Sequence, residues 1–270
     1  MKKIFWMVFG LSFILFVSEA CKRVPITGRK QVSFVNEGEL SALSSQEYNK
    51  FLSENVIIRS GKDAERIQLI GKKIAAAVEQ YYRKNKMEKE LQNFAWEFNL
   101  VDDKTVNAWC MPGGKVVFYT GILPICADDD GIAVVMGHEI AHAVARHGNE
   151  RMSQGLLAQF GGAALSVAVS SQPSAAQDLF MTAYGVGANV GILLPFSRKH
   201  ESEADKLGLV FMTMAGYNPD TAPAFWGRMA GDGGNEPPEF ISTHPSNKTR
   251  INDLTNYIPI ARRYASEYIN

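Results

Sequence analysis

Five consecutive residues, His138-Glu139-Ile140-Ala141-His142, carry the most specific chemistry in the chain, because they read H-E-x-x-H within an apolar stretch. An α-helix turns about 100° per residue, so positions four apart lie about 40° from one another and both imidazoles can reach one ion. Glu139 projects to the side of that pair. There it can bond a metal's water without taking up a coordination position, which is the geometry a general base requires. Val134, Val135, Ile140, Ala141 and Val144 give the helix an apolar majority, and two unpaired histidines and a glutamate would be costly to bury among them. A zinc ion removes that cost. Held by two imidazoles and one carboxylate with a position left open, zinc brings the pKa of bound water to about 7 and polarises a peptide carbonyl.

Two histidines leave a third protein ligand to be found. The metzincin spacing would place it at Gly148, which has no side chain. His147 comes one position earlier and, on a continuous helix, points about 140° away from His142. It therefore reads as a helix-end side chain favoured by the helix dipole. The better candidate is Glu201, near the start of an amphipathic helix that opens at Ser197. Glu201 and Asp205 share a helix face, so the first could ligate zinc while the second bonds the outer nitrogen of a ligand imidazole. Glu203 points elsewhere. Taken alone, the same acidic run also fits a solvated helix face.

His244 is a further candidate, in Ser242-Thr243-His244-Pro245 after a Gly- and Pro-rich stretch. Pro245 restrains the preceding backbone, so the imidazole is presented from a stiff turn. Three roles fit it. It can be a loop histidine bonded to backbone, a ligand that takes the open zinc position and keeps the site latent, or, with Arg250, a group that stabilises a tetrahedral oxyanion.

The elements that would position these residues are mostly helical. Periodic apolar residues mark helices over about 37–53 and 63–85, and Ile67, Ile70, Ile74, Ala75 and Val78 form one face of the second. Strands are expected over 94–101 and 116–119, with a turn at Pro112-Gly113-Gly114. Asn107 to Cys110 reads as a strand bordering the cleft, where an extended peptide can pair through its main chain. Asp128-Asp129-Asp130 caps a helix expected to run to Gly148. Two Ala-, Gly- and Leu-rich runs within about 154–195, split by Ser170-Ser171-Gln172-Pro173, suggest a helical lid or a buried hairpin. No composition shift marks a second domain, so 36–270 reads as one α+β unit, mainly helical, with a small sheet beside the H-E-x-x-H helix.

The chain balances 28 basic against 28 acidic residues, which gives no overall field to attract nucleic acid. Its N-terminus has an address: Lys2 and Lys3 precede an apolar run from Phe5 to Val17, shorter than the roughly 20 residues of a spanning helix. Residues 1–20 read as a secretory signal. Ala20 directly before Cys21 resembles a bacterial lipobox, so Cys21 is the expected lipidation site. Residues 21–35 would then be a polar, basic tether. Cys110 and Cys126 are expected not to pair, because a turn and a strand separate them.

With these motifs stand Val24-Pro25-Ile26-Thr27-Gly28-Arg29-Lys30, the run Asn107 to Lys115, His147-Gly148, Glu201-x-x-Ala204-Asp205 and Ser242-Thr243-His244-Pro245 followed by Arg250. Together they resemble the HtpX and CAAX-prenyl-protease type of zinc metallopeptidase, a gluzincin family, in its periplasmic lipoprotein branch. The resemblance implies one zinc held by His138, His142 and Glu201, Glu139 as catalytic base, and Asp205 behind a ligand imidazole. It further implies a metalloendopeptidase anchored to a membrane and facing the periplasm, with unfolded or misassembled envelope proteins as substrates. Integral-membrane relatives carry several spanning helices and this mature chain shows none, so a substrate drawn from within the bilayer is not expected. The competing class is an envelope assembly factor or chaperone with a latent or structural zinc site.

Overall fold

The computed structural model describes residues 21–33, 35–160, 197–231, 240–241, 244 and 248–268. The expected signal segment and most of the expected 154–195 hairpin lie outside these residues.

Four short strands build the main sheet. Strands β1 (Cys21–Arg23) and β2 (Lys30–Val32) form a separate hairpin, while β3 (Ile57–Ile58), β4 (Glu97–Val101), β5 (Ala108–Met111) and β6 (Lys115–Tyr119) form a sheet in the order β3-β4-β6-β5. β4 and β6 run parallel and β5 and β6 antiparallel, with Ala108 opposite Phe118 and Met111 opposite Lys115. Side-chain alternation sends Ala108, Cys110, Val116 and Phe118 into the main core. It sends Trp109, Met111, Val117 and Tyr119 into a smaller one beneath helix α1 (Glu37–Glu54). Gly113 and Gly114 both have φ +79°, which makes the tight β5–β6 turn accessible, and a Cβ on Gly114 would meet the Trp96 ring at 2.4 Å.

Helix α2 (Lys62–Lys84) buries Ile67, Ile70, Ile74 and Val78 along the expected face, each contributing roughly 1.5–3 kcal/mol of burial. It lies against β4 and two helices, α4 (Asp129–Val144) and α6 (Arg198–Met214). A short α3 (Leu123–Cys126) leads into α4, α5 (His147–Phe160) follows it, and α7 (Thr221–Gly231) and α8 (Lys248–Tyr268) complete the described helices. Asp128 caps α4 by accepting from the Gly131 N–H at 2.8 Å, and Ser197 caps α6 by accepting from His200 at 3.2 Å. From Gly131 to Val144 every residue of α4 is buried. Cys110 and Cys126 are both free thiols within the core.

Two expectations are corrected. The H-E-x-x-H helix stops at Val144 and not at Gly148, because Arg146 takes a left-handed conformation (φ 58°) and starts α5 at His147. Residues 21–33, within the expected 21–35 tether, are not a bare linker. They fold back as the β1–β2 hairpin, with Val24 buried in the main core. Arg29 bonds two carboxylates far along the chain, Glu150 on α5 at 2.7 Å and Glu203 on α6 at 2.6 Å. Those partners are invisible in the local composition, which is why the segment reads as polar linker.

Candidate metal centre

Helices α4 and α6 touch backbone to backbone just before the first histidine. A Cβ on Gly137 would meet the Gly208 carbonyl oxygen at 2.8 Å, and one on Gly208 would meet the His138 nitrogen at the same distance. This contact brings Glu201 over the H-E-x-x-H face. The Nε2 atoms of His138 and His142 lie 3.0 Å apart, and the Glu201 carboxylate stands 3.4 Å from the first and 3.3 Å from the second. His244 joins them: with His138, His142 and Glu201 it presents four buried ligand atoms, all within 4.8 Å of one another.

The donor set fits zinc. Both Glu201 carboxylate oxygens are buried without a hydrogen-bond partner, although imidazole nitrogens face them. Ligands at about 2.0–2.1 Å in a tetrahedral zinc site stand about 3.3–3.4 Å from one another, which is the separation of Glu201 from the two imidazoles. Nitrogen and carboxylate donors are the usual zinc complement.

Around this group the support is charged and close. His138 Nδ1 lies 3.0 Å from Asp205, whose carboxylate accepts from Arg250 at 2.6 Å. A second Arg250 nitrogen is 3.3 Å from Glu201, and the guanidinium lies over the Trp226 ring at 3.2 Å. Arg250 therefore stands behind the carboxylates. Burial alone would lower the His138 pKa, but the nearby carboxylates of Asp205 and Glu201 overcome it and raise the value to about 9. Burial would raise Glu201, and its neighbours His244, His138 and Arg250 outweigh it, leaving the carboxyl at about 2. Burial pushes Glu139 up to about 8, only partly offset by His138 and by the main-chain N–H donated from Cys110. Burial also holds His142 and His244 well below the ordinary imidazole value.

Glu139 lies beside the ligand group, as its spacing implies. Its Oε1 is buried without a hydrogen-bond partner and lies 3.5 Å from His244 Nε2. The other His244 nitrogen, Nδ1, is 3.2 Å from the Phe240 carbonyl, which can only accept, so Nδ1 carries the hydrogen and Nε2 is left bare. Cys110 sits on β5, at the edge of the four-stranded sheet, next to α4.

Sequence reasoning read His147 as a helix-end side chain favoured by the dipole and turned away from His142. In the structure it is fully buried, with Nδ1 2.9 Å from His142 Nδ1 and Nε2 3.0 Å from Glu203. Glu203 does point away from the ligand group, but into this buried network and not to solvent. The Gly137–Gly208 contact and the Trp226 platform were also missed. Small residues in facing helices are the only signal that could have marked the contact.

The peptidase family M48 model matches residues 64–258. The chain belongs to this family. Its metal is zinc, in keeping with the buried donor set. Among curated relatives, the mitochondrial metalloendopeptidase OMA1 of Schizosaccharomyces pombe is 40% identical over 64% of this chain and 49% of its own length. The human mitochondrial metalloendopeptidase OMA1 is 30% identical over 94% of this chain and 49% of its own. The β-barrel assembly-enhancing protease of Escherichia coli is 26% identical over 60% of this chain and 34% of its own. The chain thus spans about half the length of the OMA1 relatives it matches.

Proposed function

We propose that this M48 chain is a zinc-dependent endopeptidase in which His138, His142 and Glu201 hold the ion and Glu139 is the general base. The observation that carries this reading is Glu139 Oε1, buried, without a hydrogen bond and directed to the side of a compact ligand group. A purely structural metal site has no use for such a carboxylate. Bound zinc supplies a Lewis acid for the peptide carbonyl and a lowered pKa for water. Glu139 takes the proton from the attacking water as its oxygen bonds the carbonyl carbon, then delivers it to the amine nitrogen as the C–N bond breaks. Cys110 orients the Glu139 carboxylate through its main-chain N–H. The edge position of β5 supports pairing with an extended, unfolded peptide.

A second reading concerns control of the same site. His244 offers a bare Nε2 within the ligand group, and this favours the latent state over an oxyanion role, since an imidazole there would occupy the position that water needs. Export through residues 1–20, lipid attachment at Cys21 and cleavage of misfolded or unassembled envelope proteins remain part of the proposal. They are supported by the N-terminal sequence and by the name of the E. coli relative. Casein cleavage with and without a chelator tests the activity. Chelator-sensitive cleavage is expected, and a zinc-loaded protein that never cleaves, even as His244→Ala, would favour an assembly factor.

A further inference from the structure

The two imidazoles assigned to one ion have unlike supports. Behind His138 stands a carboxylate, Asp205, itself held by Arg250. Behind His142 stands a second imidazole: its Nδ1 lies 2.9 Å from Nδ1 of His147. In such a contact one nitrogen must carry a hydrogen and the other must lack one. With Nε2 of His142 turned to the ligand group, its Nδ1 is the donor and His147 Nδ1 the acceptor. The single hydrogen of a neutral His147 then sits on Nε2, which lies 3.0 Å from a Glu203 oxygen that can accept it. Glu203 in turn accepts from Arg29 Nε at 2.6 Å and from the Thr27 hydroxyl. Every link in this chain has only one consistent hydrogen placement.

The His147 ring is also held on its face. It stacks on His200 with centroids 4.5 Å apart and planes 21° from parallel. His200 Nε2 is 3.0 Å from Glu150, which accepts from the two terminal nitrogens of the same Arg29 whose Nε bonds Glu203. The left-handed turn at Arg146 is what brings His147 back to His142, since a continuous helix would have carried it about 140° away.

We propose that His147 is a positioning residue for the zinc ligand His142, with Glu203, pinned by Arg29 of the N-terminal hairpin, fixing its tautomer. This extends the common carboxylate–histidine–zinc arrangement by one imidazole, and it rests on the assignment of His142 as a ligand. Partners of this kind typically change metal affinity 10–100-fold when removed.

The test is the zinc dissociation constant, measured by competition with a chromophoric chelator on the full chain and on its His147→Ala, His147→Asn, Glu203→Ala and His142→Ala variants. His147→Ala is expected to bind zinc about 10–100-fold more weakly, while still binding one ion at saturation. His147→Asn should recover most of the loss, because Asn Oδ1 replaces Nδ1 as the acceptor for His142. Cobalt in place of zinc gives a second readout: its visible absorption should shift in His147→Ala and return towards wild type in His147→Asn. Wild-type affinity in His147→Ala would overturn the proposal, as would equal losses in both His147 variants with unchanged cobalt spectra. If His147→Ala fails to fold, Glu203→Ala decides, since it leaves His147 without its acceptor and must weaken zinc binding. His142→Ala separates the two levels. Unchanged zinc binding in that variant overturns the ligand assignment, whereas loss there with none in His147→Ala overturns only the relay.

Discussion

Glu139 is the residue on which the catalytic reading turns. Glu139→Gln removes the base and keeps every proposed ligand, so zinc content and thermal midpoint should stay near wild type while casein cleavage falls by about 10²–10⁴. Comparable cleavage by the purified variant would remove Glu139 from the mechanism. Glu201→Ala should lower zinc content at limiting metal, because both Glu201 oxygens face the imidazoles. Glu203→Ala, with its carboxylate on His147, should still reach one zinc at saturation. For His244 the sign of the change is informative. His244→Ala should raise peptidase activity with zinc stoichiometry unchanged, and a fall in activity would return His244 to the oxyanion role.

At the scale of elements, the site depends on how closely α4 and α6 approach. Gly208→Ala places a methyl against the Gly137 and His138 backbone, which can yield only by separating the helices. Overpacking of this kind costs roughly 1–3 kcal/mol. Weaker zinc binding should accompany the lowered unfolding midpoint, and a full-affinity, full-stability variant would show that the contact is not needed. The hairpin gives a pH-dependent counterpart. Opposing its burial, bonds from His200 and Arg29 pull the Glu150 carboxyl down to about 2 from an ordinary 4.5. A depressed carboxyl stabilises the fold above its unfolded pKa and loses that contribution as pH falls towards its folded one. Arg29→Ala should therefore be less stable than wild type at pH 7, with the urea midpoints converging as pH falls below about 4.5. Midpoints that differ equally at pH 7 and pH 3.5 would count against this.

What the sequence made legible follows from the range of each interaction. His138, Glu139 and His142 are fixed by spacing within one helix, and the strands and α2 by their periods of two and about three and a half. Glu201 became probable only through the resemblance, since an acidic run at helix spacing has a commoner explanation. The relay through His147 was misread because its partners lie 56 and 174 residues apart in its two successive links. Local spacing carries no trace of them. The N-terminal segment failed for the same reason: Arg29 looks like linker charge until Glu150 and Glu203 are set beside it.

At the scale of the whole molecule, no helix among the described residues is long and apolar enough to cross a membrane. Attachment through Cys21 is the anchor proposed above, on the N-terminal sequence alone. Cys21→Ser should shift the mature chain to the soluble fraction or leave unprocessed precursor, and unchanged fractionation of a correctly cleaved variant would point to another anchor.

The hairpin gives that anchor a geometric meaning. A free segment of residues 21–35 would let the catalytic domain range up to about 50 Å from its acyl chains. Instead β1 starts at Cys21 and is paired to β2 from its first residue, with Val24 in the core three positions later. If Cys21 carries lipid as proposed, no slack remains between that lipid and the folded body. The cleft of an acylated chain would then ride at a fixed height and a restricted tilt above the bilayer, and its working zone would be a thin layer of the compartment next to the headgroups. Polypeptide presented within that layer would be cut, and the same polypeptide free in the bulk would be largely out of reach. A flexible Gly/Ser spacer inserted directly after Cys21 should widen the zone, so that cleavage sites carried on long stalks above a vesicle surface become accessible to the variant and not to the parent.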